Sequence, residues 1–305
     1  MNKEEFNKFY EEMKNSRFRQ QKFPGWRPLP TISCMTIIFI SVGIFFIIVG
    51  VLILVFTGFL KEYKFRYDLY CFNKNNCDFS FTIPEKMKKP ILIYYQVNDV
   101  RQNHRFYMDN KSDKQLKGEE VSKEDLEKSG DCESALYNKD FGLDSDEYDE
   151  DSVAFPCGLI AKSFLQDNFS SWTISKKEIN VTTEDIAYKS DRDTYSKIPK
   201  KETHWINLND EHFMNWMRIA PFENPRKLWG KIEKDDIPSG AIVTVAIYNH
   251  DKYRNFEKYL ILTTRNVFGG KSSFLGISYI VFGGICLLSA VIFINVFNYF
   301  HKKKK

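Results

Sequence analysis

The sequence predicts a membrane protein with two transmembrane α-helices enclosing a β-rich, antiparallel sandwich-like ectodomain with helical inserts. Three observations predict it: two long uncharged apolar runs, basic flanks at both chain ends, and cysteines and glycosylation sequons between the runs.

Residues 32–60 hold 29 positions without a formal charge, dominated by Ile, Phe, Val and Leu, and residues 274–297 repeat the pattern over 24. About 20 apolar residues suffice for a helix to cross some 30 Å of hydrocarbon, so each run can span. A buried helix of a soluble core would keep a polar stripe, and neither run has one. A cleaved signal peptide is excluded by the 31 residues before the first run and by its length, which reads as a retained anchor.

Orientation follows from the flanks. Arg17, Arg19, Lys22 and Arg27 precede the first span without an acidic residue among them, and Lys302 to Lys305 end the chain. The positive-inside bias puts both tails, 1–31 and 298–305, in the cytosol. Lys61, Lys64 and Arg66 weaken the contrast at the first span, so the terminal lysines decide it. Those lysines also fit a dilysine retrieval signal, although an anchor on acidic lipids is the preferred reading.

Residues 61–273 are then a luminal or extracellular domain, which contains Cys71, Cys77, Cys132 and Cys157. Four cysteines outside the cytosol favour disulfides with three possible connectivities, and the expectation is the local pairs, Cys71 with Cys77 and Cys132 with Cys157. Cys-x-x-Cys and histidine at ligand spacing are both missing, so no metal is expected. Asn110, Asn168 and Asn180 each open an N-glycosylation sequon.

Within the domain, residues 91–97, 241–248 and 258–264 are rich in β-branched and aromatic side chains and read as strands, the last two as a hairpin with a long connection. Residues 210–219 read as a helix behind a capping Asp210, and 226–232 as a short second helix after Pro225. Residues 122–129 are weakly helical. The acidic stretch 144–151 departs from the EF-hand pattern and reads as a solvated loop.

Motifs of nucleophilic, zinc, P-loop and aspartyl-phosphate chemistry are missing, so no enzyme and no cofactor is expected. The spans lack ionisable groups that would line a conduction path. Gly-x-x-x-Gly is missing too, so self-dimerisation through that motif is not suggested.

Five motifs carry a resemblance. They are Phe18 to Pro28 with paired Gln and Trp26-Arg27-Pro28; Tyr94-Tyr95 through Gln102-Asn103-His104-Arg105-x-Tyr107 and Gln115-Leu116-x-Gly118; Pro156 to Ala161; Trp216-Met217-Arg218-x-Ala220 with Arg226-Lys227-Leu228; and Gly269 to Gly276. On these the chain resembles the flippase β-subunit family, known as the cell-division-control-fifty, ligand-effect-modulator-three or transmembrane-protein-thirty family. The segment 248–251 departs from the family pattern. The resemblance implies a non-catalytic β subunit that pairs with a type IV P-type ATPase, supports its exit from the endoplasmic reticulum and is needed for phospholipid translocation. It also implies two ectodomain disulfides, N-glycans, and residence in the endoplasmic reticulum, the Golgi and endosomes or the plasma membrane. Partner contacts are expected at Trp26 and Arg27 on the cytosolic side and at Asn103, His104, Arg105, Trp216 and Arg218 outside, with core packing the competing reading for Trp216. The main rival is a subunit of a two-span ligand-gated channel, which would form a homo-oligomer.

Overall fold

The computed structural model describes residues 3–22, 31–143, 146–195, 204–250, 255–265, 271 and 273–303. It divides into two compact units, Met1–Leu54 with Phe274–Lys305, and Val55–Ser273.

The first unit holds α1 (Lys3–Asn15), most of α2 (Ile32–Gly58) and α9 (Phe274–Lys303), the last two long and apolar enough to cross a membrane. Within this unit the spans pack through glycines seven residues apart. A Cβ built on Gly50 would lie 2.8 Å from the carbonyl oxygen of Gly276, and one on Gly283 would lie 2.7 Å from that of Gly43. Only residues without a side chain let two backbones approach so closely in lipid, where van der Waals packing drives helix association. Phe46 flanks the seam, its ring 5.0 Å from that of Phe282.

The second unit is an antiparallel sandwich with short helices on its connections. Its strands are β1 (Glu62–Arg66), β2 (Asn76–Thr82), β3 (Ile91–Val97), β4 (Asn168–Ile174), β5 (Lys177–Glu178), β6 (Arg226–Ile232), β7 (Ile242–Tyr248) and β8 (Lys258–Thr264). Its helices are α3 (Arg105–Asp109), α4 (Lys123–Ser129), α5 (Asn138–Phe141), α6 (Leu159–Lys162), α7 (Lys189–Tyr195) and α8 (Glu211–Met217). One sheet runs β1-β8-β3-β6 and the other β2-β7-β4-β5. Alternation aims Phe79 and Phe81 of β2 and Val243, Val245 and Ile247 of β7 inward. There they meet the facing sheet, with Phe65 stacked on Phe81 at 4.1 Å and Trp229 edge-on to Phe169 at 5.3 Å.

Two expectations are corrected. Residues 226–232 form a strand, because β6 pairs with β3 and tertiary pairing overrides local propensity. Lys227 occupies an inward position there, which hides the alternation. Residues 241–248 and 258–264 are strands but not a hairpin, since β7 and β8 belong to different sheets.

Cys71 bonds to Cys77 and Cys132 to Cys157. Beside the first disulfide lies an ion pair with no solvent exposure: Lys258 Nζ donates to Asp167 Oδ2 at 2.8 Å and to Asn249 Oδ1 at 2.7 Å. Tyr67 donates to the same carboxylate at 2.8 Å, and burial together with that negative charge pushes its phenol well above the ordinary range. Buried charges persist only when paired and hydrogen-bonded in this way.

Candidate partner-binding site

Three of the motifs that carry the family resemblance fold onto one another. The buried Gln102 accepts from the Ala220 amide at 3.0 Å, and Tyr107 shares a 2.6 Å hydrogen bond with Ser163. Burial raises the Tyr107 phenol above its ordinary range. The side chain of Gln115 accepts from the Cys157 amide at 2.9 Å and donates to the Ala154 carbonyl at 3.3 Å. Trp216 on α8 donates from its indole to the Ile160 carbonyl at 3.0 Å. Three segments distant in sequence are thus tied together by buried side chain to backbone bonds, each satisfying a group that would otherwise be costly to bury.

Gly158 shows how closely these segments approach. Its φ is +102°, and a Cβ there would fall 2.4 Å from the carbonyl oxygen of Asn110. Asn110 is only 3% exposed, and its amide oxygen accepts from the Leu159 N–H at 2.7 Å. That burial is the observation that counts against a glycan at this sequon. Asn168 and Asn180 are exposed.

The outward tips of this region are Asn103, His104, Arg105 and Arg218. Asn103 donates to the Pro221 carbonyl at 2.9 Å, which fixes the loop. His104 takes the N-cap position of α3 without a side-chain capping bond. Arg105 is 92% exposed and only loosely paired with Asp109 at 3.6 Å, which leaves its guanidinium available. Arg218 lies flat on Tyr188, 3.8 Å from the ring centre, and donates to Asp191 at 3.0 Å. The hydrogen bond to Asp191 makes the Arg218 guanidinium hold its proton even more tightly than usual. Trp216, by contrast, is wholly buried, so the contact expected of it is corrected to core packing. Trp26 and Arg27 lie outside the described residues.

Sequence reasoning misses two features. Lys227 is buried and donates to the carbonyls of Trp216 and Arg218, closing the C-terminal end of α8. Burial pushes its ammonium down to about 7. His212 faces acceptors on both ring nitrogens, Asp210 at 3.0 Å and the Trp229 carbonyl at 2.9 Å. Burial alone would raise the Asp210 carboxyl, but the His212 hydrogen bonds and charge bring it below its ordinary value. The capping Asp210 before an apolar helical pattern is a readable signal for this pair.

Among the described residues no group of three or more His, Cys, Asp or Glu could hold a metal. The arrangement sets exposed basic and amide tips on an internally bonded base.

Comparison with known proteins places this architecture. The chain is 33 to 25% identical to a set of curated relatives over most of its length. ALA-interacting subunit 3 of Arabidopsis thaliana is 30% identical, covering 92% of this chain and 84% of its own. Cell cycle control protein 50A of Mus musculus is 26% identical, covering 92% and 88%. Phospholipid-transporting ATPase accessory subunit CRF1 of Saccharomyces cerevisiae is 26% identical, covering 92% and 84%. The family described as LEM3 (ligand-effect modulator 3) family / CDC50 family matches residues 62–304, and the chain is a membrane protein that belongs to it.

Proposed function

We propose that this chain is the non-catalytic accessory (β) subunit of a P-type ATPase that translocates phospholipid, with both termini in the cytosol and the sandwich on the luminal or extracellular side. The observation that carries the reading is similarity along 92% of the chain to a relative named as an accessory subunit of a phospholipid-transporting ATPase. ATP hydrolysis and the lipid path belong to the pump. This chain supplies a rigid ectodomain whose exposed tips favour particular pump conformations by touching them differently, since only differential contact shifts such an equilibrium.

The cellular test is removal of the chain. Its pump is expected to stay in the endoplasmic reticulum, and uptake of a fluorescent phospholipid at the cell surface to fall. Normal pump location with normal uptake would overturn the reading. The contact proposal is tested separately by alanine at His104 and Arg105, both outside the folded core; pump binding or lipid uptake should drop while the melting temperature holds. We further assign glycans to Asn168 and Asn180. Asn168→Gln and Asn180→Gln should each increase gel mobility by one glycan, whereas Asn110→Gln should not; a mobility change at Asn110 would contradict the packing argument.

A further inference from the structure

A cavity of about 500 Å³ opens in the ectodomain between β3 and β6 on one side and residues 186–188 and 215–221 on the other. This is the size range of small-molecule sites. Each lining side chain able to carry charge near neutral pH is basic: Arg218, Arg226 and Lys227. The carboxylates that hold the two arginines stand outside the lining, Asp191 behind Arg218 and Glu62 behind Arg226, the latter at 2.9 Å. Each guanidinium is laid on a tyrosine, Arg218 on Tyr188 at 3.8 Å and Arg226 on Tyr94 at 4.7 Å. Each guanidinium spends two N–H donors on its carboxylate, Arg218 on Asp191 and Arg226 on Glu62, which fixes its plane and leaves its remaining N–H groups for an oxyanion. Among the described residues Arg226 Nε is buried without an acceptor.

The apolar part of the lining, including Ile186, Pro221 and Leu228, suits a ligand with a hydrocarbon portion beside its charge. We infer that the cavity is a binding site for the phosphate of a phosphodiester, with a lipid headgroup as the source that its partly apolar walls favour. The uncharged fraction of Lys227 gains a proton when the anion enters, which adds a third cation to the pair of arginines. The site belongs to this chain whether or not it assembles with a pump, so its test and that of the subunit reading fail separately.

The test is calorimetric titration of the full-length protein in mild detergent with glycerophosphoserine, a deacylated headgroup, and with inorganic phosphate. Arg226→Gln removes a donor, Ala220→Phe fills the cavity while leaving both ion pairs intact, and Lys86→Gln, an exposed lysine outside both the cavity and the contact tips, is the control. Saturable glycerophosphoserine binding that weakens at least tenfold in both cavity variants, and not in the control, supports the headgroup. The same dependence for phosphate alone retains the oxyanion site but assigns it to a free anion. Saturation by neither probe, or cavity variants that bind like the parent, would overturn the site. So would loss of a co-purifying pump in Ala220→Phe without binding of either probe, which would give the cavity to a protein loop.

Discussion

At the scale of single residues, Gly158 and Lys227 decide the most. Gly158 combines a positive φ with backbone contact on Asn110, so a methyl group there meets both conformational strain and overlap. Gly158→Ala should cost about 3 kcal/mol in chemical denaturation, and a loss under 1 kcal/mol would contradict the described approach. Lys227 behaves in the opposite sense from a surface lysine. Its folded value near 7 lies below the ordinary 10.5, so protonation opposes folding. The penalty is complete below about pH 7 and fades as pH climbs toward 10.5, at roughly 1.4 kcal/mol for each tenfold fall in proton concentration. Stability should therefore rise by a few kcal/mol across that window, and Lys227→Met should flatten the rise. An unchanged slope in the variant would assign the pH dependence elsewhere. Neither residue is legible as such in the sequence. The motif around Gly158 marks the position without giving its backbone angle, and Lys227 lies in a segment whose composition reads as a helix.

Elements are legible where one physical preference dominates. The spans stand out because lipid demands uninterrupted apolar length, and β3 and β8 because their apolar runs are nearly continuous. Residues 226–232 mislead because a buried lysine and a glycine interrupt the alternation that marks a strand. The period-two Phe79 and Phe81 of β2 are a usable strand signal that the sequence reading passes over. In the spans, Gly-x-x-x-Gly is not the one spacing that matters, since a seven-residue interval also returns glycine to one helix face after two turns. Gly50→Leu or Gly276→Leu should destabilise the helix pair by about 1 to 3 kcal/mol, read as thermal aggregation of the detergent-solubilised chain. Gly284→Leu is the control, because nothing lies within 4 Å of its Cβ position. Equal effects at Gly50 and Gly284 would sink the interlock.

For the whole molecule, the sequence conveys architecture better than contact. The two spans, the disulfide pairs and the sandwich class can be read because they follow from hydrophobic length, compartment and strand composition. Which motif residues face outward cannot, since Trp216 and Arg218 stand two positions apart and only the fold separates core from surface. The Lys258 and Asp167 pair, joined by Tyr67 and Asn249, ties the Cys71 loop to the chain entering β8. Lys258→Met leaves Asp167 charged and unpaired in the interior, at a cost of about 3 to 5 kcal/mol. Loss of ectodomain folding, or retention of the variant in the endoplasmic reticulum, is the expected readout, and a variant as stable as the parent would contradict the buried pair.

The central claim is that this chain is a pump's accessory subunit, and mild-detergent affinity purification of the tagged full-length protein followed by mass spectrometry tests it most directly. Stoichiometric recovery of one large P-type ATPase is the predicted result. A homo-oligomer recovered without any ATPase would contradict the account and favour the channel-like alternative.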